Sequence, residues 1–335
     1  MASQERPRVA LIGCGGTISS LAVNEFDYID YPETGRKLTA AEVLERIPAL
    51  AERAEIIPIP FREVGSSAIG PDDWIRLANT ITKAAAEDPE LSGFIVLHGT
   101  ATLEETAYFL NLTLKCEQPV VITAAQRPLN TVSTDAAANA LAALRTVVDP
   151  ASRGRGVLVV LNDEIHAARE VTKGSTYRLH AFHSGAFGPI GVIDPDRVVY
   201  SRKPEKPHTT ATPFLIPSDG GLPRVDVIYS CAGNDGTFVE AAVKAGALGL
   251  VVAGFAPGMP SPGERAALLE ASKQGIVVVQ ASRVGSGRVG RRKWLRQVGW
   301  VGADDLTPQK ARILLALALV STGDPDTIQE MFDRY

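Results

Sequence analysis

Cysteine is scarce in this chain: Cys14, Cys116 and Cys231 are the three present among 335 residues. An odd number at such wide spacing builds neither a disulfide framework nor a zinc site, and it suits a reducing compartment such as the cytoplasm. No apolar run approaches the roughly 18 residues that a membrane helix needs, and the opening "MASQERPRVALIG" has no stretch of signal-peptide length. Excess positive charge is missing too. A net charge of −4 offers no broad basic surface for nucleic acid or anionic lipid, and the short cluster "GRVGRRKWLRQ" at 287–297 does not change that balance. Internal repeats and low-complexity tracts are also absent from the sequence.

What the chain does have is apolar material, 45% of its residues, enough for one large core or two medium ones. Short β-branched runs alternate with helix-period segments, which predicts an α/β fold with a mainly parallel sheet. Strands are expected at 8–12, 55–60, 94–97, 119–123 and 156–161, then at 225–231, 248–253 and 276–280. Helix starts are marked by Pro71, by Thr102 with Glu105, by Ser261 with Glu264, and by Thr307-Pro308. Five prolines interrupt the pattern in "SRKPEKPHTTATPFLIPSDGGLPR". The expected division is therefore a larger N-terminal domain at 1–202, a linker at 203–223 and a smaller C-terminal α/β domain at 224–335.

Two strand ends carry candidate chemistry. The first strand runs into "LIGCGGTISS", where a dinucleotide fingerprint starting at Gly13 and Gly15 would need glycine at 18 but meets Ile18. No lysine follows as a phosphate loop requires, so neither NAD nor ATP is expected, and no other cofactor is indicated. What remains is a tight turn that presents Thr17 past the carboxyl end of a strand. The second is "VLHGTATLEETAYFL", which places Thr100 between a strand and a helix N-terminus, where backbone N–H groups favour developing negative charge. A threonine hydroxyl needs a base, and "REVTKGST" offers Lys173. Cys14 reads as a small buried residue rather than a nucleophile. His180-x-x-His183 has a metal-like spacing, but its segment lacks helical period and an adjacent acid, so no metal site is expected.

Taken together, "GGTI", "HGTATLEETAYFL", "PVVITAAQRP", "GVLVVLNDEI" with "VTK", and "LTPQKARILLALAL" with "IQEMF" resemble the bacterial asparaginase/glutaminase family in order along nearly the whole chain. The resemblance implies a flavodoxin-like C-terminal domain, a homotetramer of paired dimers, and cofactor-free amide hydrolysis. Carried over position by position, it implies Thr17 as nucleophile, Thr100 and Lys173 as a second catalytic pair, and a loop tyrosine that falls on Tyr31 better than on Tyr28. Substrate contacts are implied for Gly16, Ser66 with Ser67, Gly99, the position of Ala101 and the backbone of Ala125. Asn234 resembles an asparagine that reaches a neighbouring subunit's site.

Two positions depart from the pattern. Where the family has Gly-Thr-Asp, this chain has Gly99-Thr100-Ala101, and the loop "SRVGSGRVGRRKWLRQVG" holds no acid but four arginines between 283 and 292. By resemblance, the missing carboxylates are those that receive a substrate α-ammonium. The expected substrate is therefore a carboxamide, or a related imide or lactam, without that group. The arginines either meet an extra substrate carboxylate or form a solvated basic loop. Two alternative readings stand beside this one: an ordinary L-asparaginase with an Asp-to-Ala change at 101, and a non-catalytic small-molecule binder. Retention of Thr17, Thr100, Lys173 and a loop tyrosine speaks against the binder.

Overall fold

A computed structural model of the chain describes residues 6–217 and 221–335. They fall into two compact units, Met1–Ile216 and Pro217–Tyr335.

The sheet of the first unit has eight strands: β1 (Arg8–Gly13), β2 (Glu55–Pro60), β3 (Gly93–Leu97), β4 (Val120–Thr123), β5 (Val157–Leu161), β6 (Glu164–Ala167), β7 (Gly191–Ile193) and β8 (Val198–Tyr200). Their order is β8-β7-β6-β5-β4-β3-β1-β2. The first five pair in parallel. Strands β6 to β8 extend the sheet in antiparallel fashion; at three or four residues each they are too short to show a period in sequence.

Helices α1 (Ala40–Arg46), α2 (Pro71–Glu87), α3 (Leu103–Thr113) and α4 (Ala136–Val148) cover the sheet. Strands β3, β4 and β5 are buried along their whole length, as a parallel sheet covered on both faces requires. One core joins Leu11, Ile95, Val121 and Leu158 of the strands to Ala140, Ala143 and Val147 of α4. The strand order reverses at β1 and β3, which lie side by side while their successors run to opposite edges. Open α/β sheets bind ligands in the crevice at the carboxyl ends of such a pair.

The expected starts of α2 and α3 come out differently. Pro71 sits at the first turn of α2, with Asp73 accepting from the Gly70 N–H at 3.3 Å. Thr102 precedes α3 without capping it; its hydroxyl donates instead to the Ser66 carbonyl at 2.8 Å. In the proline-rich stretch, Thr209–Ala211 forms a 3-10 turn, and the Lys115 ammonium donates to the carbonyls of Thr209 and Thr212 at 2.7 and 2.9 Å.

The second unit is built on β9 (Val225–Tyr229), β10 (Gly249–Gly254), β11 (Val277–Ser282) and β12 (Val301–Gly302), parallel and in sequential order. Its helices are α5 (Thr237–Lys244), α6 (Pro262–Lys273), α7 (Lys293–Gln297), α8 (Pro308–Leu319) and α9 (Pro325–Arg334). Ser261 and Glu264 form the expected capping box of α6. Leu250, Val252, Val278, Leu268, Leu295 and Trp300 make the core on that side of the sheet. Among the described residues no helix is long and apolar enough to cross a membrane.

Candidate active site

The glycine turn after β1 exists because backbone must pass against backbone. Gly15 and Gly16 both have positive φ, 78° and 77°. A Cβ on Gly15 would lie 2.3 Å from the Val64 carbonyl oxygen, and one on Gly16 would lie 2.2 Å from Gly99 Cα. Only glycine fits either position. The turn at the end of β1 is thereby pressed against the turn at the end of β3. Thr17 and Thr100, each one residue past a touching glycine, are brought side by side at the switch point.

Each threonine has its own partner. Thr17 Oγ1 and the Tyr31 hydroxyl are 2.8 Å apart. Tyr31 opens a short helix, Tyr31–Thr34, whose approach is fixed by Asp27: its carboxylate accepts from the N–H groups of Ile29, Asp30 and Tyr31 at 3.2, 2.8 and 3.2 Å. Tyr28 turns away and donates to the Val132 carbonyl at 2.7 Å. Burial raises the Tyr31 pKa above that of a free phenol, against the pull of its bond to Thr17, and the charges of Asp27, Asp135 and Glu33 add to the rise.

The Lys173 ammonium donates to Thr100 Oγ1 at 2.7 Å and to Gln126 Oε1 at 3.3 Å. Burial lowers the Lys173 pKa, while the nearby Glu104 carboxylate raises it. Glu104 lies in the first turn of α3, where the helix dipole favours an anion. It is 7% exposed, and among the described residues no hydrogen bond reaches its Oε2. Gln126 is held from both ends: its N–H donates to Asp135, and its Nε2 to the Arg178 carbonyl at 2.9 Å.

His98 is completely buried beneath the second turn. The Gly99 carbonyl, 2.9 Å away, can only accept, so Nδ1 carries the proton and Nε2 takes the Thr106 hydroxyl proton at 3.0 Å. Burial pushes its pKa down to about 4, against the bond to Gly99. His98 therefore stays neutral and braces the turn. Cys14 is fully buried, and burial, with the charge of Asp73 adding to it, raises its pKa.

Ser66, 6% exposed, accepts from the Ala101 N–H on Oγ at 3.1 Å, which ties the "GSSAIG" segment to the Thr100 turn. Its neighbour Ser67 is exposed, as is Ala101, whereas Ala125 is fully buried just past β4. Asn234 belongs to the second unit, where its amide donates to Glu264 Oε1 at 2.7 Å and to the Tyr229 carbonyl at 3.1 Å. His180 meets an acid that is remote in sequence, Glu164 Oε2 at 3.1 Å, while His183 accepts from the Gly185 N–H. Among the described residues no group of His, Cys, Asp and Glu is arranged to hold a metal ion.

Residues 8–206 match the family model "Asparaginase, N-terminal", and residues 224–332 match "Glutaminase/Asparaginase C-terminal domain". The chain belongs to the asparaginase family. It is 37% identical over 331 residues to the probable periplasmic L-asparaginase of Haemophilus influenzae, covering 98% of this chain and 93% of that one. It is 36% identical to L-asparaginase 2 of Escherichia coli over the same shares of the two chains. The solved structure of a probable cytoplasmic L-asparaginase from Campylobacter jejuni superposes with a TM-score of 0.94 at 36% identity, covering 98% of this chain and all of that one. As a member of the family, the chain is an amidohydrolase that acts on carbon–nitrogen bonds.

Within this asparaginase framework, all four loop arginines have partners in their own unit. Arg283 donates to the Ser230 carbonyl at 3.0 Å, Arg288 pairs with Asp304, Arg291 with Asp326 at 2.5 Å, and Arg292 donates to Gln280 at 2.8 Å. Asp27, Glu104, Gln126 and Asp135 are site-shaping residues that sequence reasoning missed. Gln126 alone left a signal, a polar side chain three residues past the end of a predicted strand.

Proposed function

We propose that the chain hydrolyses a carboxamide by acyl transfer to Thr17, on a substrate without a free α-ammonium group. The paired contacts Thr17–Tyr31 and Lys173–Thr100 at one strand crevice carry this reading. Thr17 Oγ attacks the amide carbon while its proton moves to Tyr31 and on to the leaving nitrogen, so a primary amide releases ammonia. A phenol with a raised pKa is a poor resting base, and it serves by passing one proton on as it takes another. Under this reading the developing oxyanion is received by backbone N–H groups of the two glycine turns other than those of Gly16 and Ala101, which donate to the Val64 carbonyl and Ser66 Oγ. Water then attacks the acyl carbon, giving one proton to the Thr100–Lys173 pair. The bond to Thr17 Oγ1 breaks as Tyr31 protonates that oxygen, and Tyr31 regains its proton from the released carboxylic acid, which leaves as the carboxylate.

The substrate preference follows from charge. Ala101 offers a methyl group where the family places an aspartate, and its N–H is engaged by Ser66. Of the three acids beside Tyr31, Asp27 holds the Tyr31 turn, Asp135 accepts from Gln126, Arg127 and Asn139, and Glu33 is exposed. An ammonium closed into such a site without a partner costs on the order of 2–5 kcal/mol, roughly thirty- to several-thousand-fold in kcat/KM. The names of the relatives favour a second reading, an ordinary L-asparaginase. We read the location as cytoplasmic, in line with the name of the Campylobacter jejuni protein, and the assembly as a homotetramer on the family resemblance.

Ammonia release from succinamate and from asparagine, with Thr17→Ala as control, tests the proposal. The expected result is faster turnover of succinamate and loss of all turnover in the variant. No turnover of either amide by the unaltered protein would contradict the proposal and favour a non-catalytic binder.

A further inference from the structure

The second unit carries a cavity of about 590 Å³ whose lining includes none of the residues given a step in the amide chemistry. Arg265 and Leu269 of α6, Trp294 of α7, and Met259, Gln280 and Arg292 line it. The Arg265 guanidinium lies 4.1 Å from the centre of the Trp294 ring. Trp294 is braced edge-on by Trp300, with ring centres 5.2 Å apart, and Trp300 is itself fully buried. Arg292 donates to Gln280 Oε1 at 2.8 Å and approaches Met259 Sδ at 3.4 Å. Gln280 is 1% exposed, so a buried amide holds this guanidinium in place.

The charge is one-sided. Arg288 and Arg291, close by in sequence, each have an aspartate partner, yet among the described residues neither Arg265 nor Arg292 has a carboxylate within ion-pair distance. Two guanidinium groups on one cavity present the planar donor forks that match carboxylate and phosphate. The remaining walls are apolar and aromatic, suited to a flat hydrocarbon body. The volume falls within the roughly 300–1,000 Å³ of small-molecule sites. An inorganic anion would leave those walls unused, and a neutral aromatic would leave the arginines without an anionic partner.

We propose that this cavity binds a small organic anion, with a carboxylate or phosphate on Arg265 and Arg292 and a planar apolar body against Trp294, Leu269 and Met259. Calorimetric titration of the full chain with 2-naphthoate, 2-naphthyl phosphate and neutral 2-naphthamide tests this. At least one anion is expected to bind about tenfold or more tightly than the amide, and the tighter of the two identifies the headgroup. Arg265→Gln and Arg292→Gln should each weaken that binding severalfold while circular dichroism and thermal melting stay unchanged, and Thr17→Ala should bind as the unaltered chain does. Equal affinity for the amide, undiminished binding by both arginine variants, or loss of binding in Thr17→Ala would overturn the proposal. So would arginine variants that change the sedimentation coefficient of a chain to which neither anion binds, because a second copy would then cover this face.

Discussion

Lys173 and Thr100 lie 73 residues apart in sequence and 2.7 Å apart in space, with the lysine ammonium donating to the threonine oxygen. The lysine can take a proton from Thr100 or water only in its neutral form, and burial lowers its pKa below 10.5. The rate of acyl-enzyme hydrolysis should therefore rise with pH through a midpoint below that of free lysine. Glu104 works in the opposite direction, raising the Lys173 pKa. Glu104→Gln should move the midpoint to lower pH, as read from the pH profile of kcat. A shift to higher pH would contradict this arrangement.

Tyr31, rather than Tyr28, faces Thr17, the proposed nucleophile. Tyr31→Phe should lower kcat by about 10²–10⁴, the usual range for loss of a general acid–base group. Tyr28→Phe removes only the bond to the Val132 carbonyl and should leave kcat within severalfold. Steady-state kinetics of the two variants separate the roles.

The contact between Gly16 and Gly99 predicts an effect on stability as well as on rate. Gly16→Ala places a Cβ against Gly99 backbone, with φ at 77°, and should cost about 1–3 kcal/mol, seen as a lower Tm, together with most of the activity. Gly70→Ala, at a position with open space around the added Cβ, should melt within a degree or two of the unaltered chain.

His98 makes stability depend on pH. Its folded pKa is depressed by burial to about 4 from the ordinary imidazole value of 6.5, so between those values the unfolded chain binds the extra proton. Stability is undiminished by this group above pH 6.5 and falls as pH drops towards 4, by up to about 1.4 kcal/mol per pH unit. Urea melts across that window should show a shallower slope in His98→Gln, whatever its stability at pH 7.

Much of this was legible in the sequence, because a glycine turn at a strand end is a local feature. Thr17, Thr100 and the strand that precedes each could be placed from periodicity and turn chemistry alone. The choice between Tyr31 and Tyr28 could not, since it depends on how the Asp27 carboxylate gathers three N–H groups. Gln126 and Glu104 act on Lys173 across 47 and 69 residues of chain, a separation that no local pattern spans. Arg288 and Arg291 read as part of a solvated basic loop or as partners of a substrate carboxylate until the fold supplied Asp304 and Asp326. Thr102 looked like a helix cap because the Ser66 carbonyl that takes its hydroxyl is 36 residues away.

The most direct test is the ratio of kcat/KM for succinamate to that for asparagine, measured in the unaltered chain and in Ala101→Asp. The charge argument predicts a ratio of at least about thirty in the unaltered chain, falling by a similar factor once the carboxylate is restored. A ratio below one in the unaltered chain, or one that Ala101→Asp leaves unmoved, would contradict it.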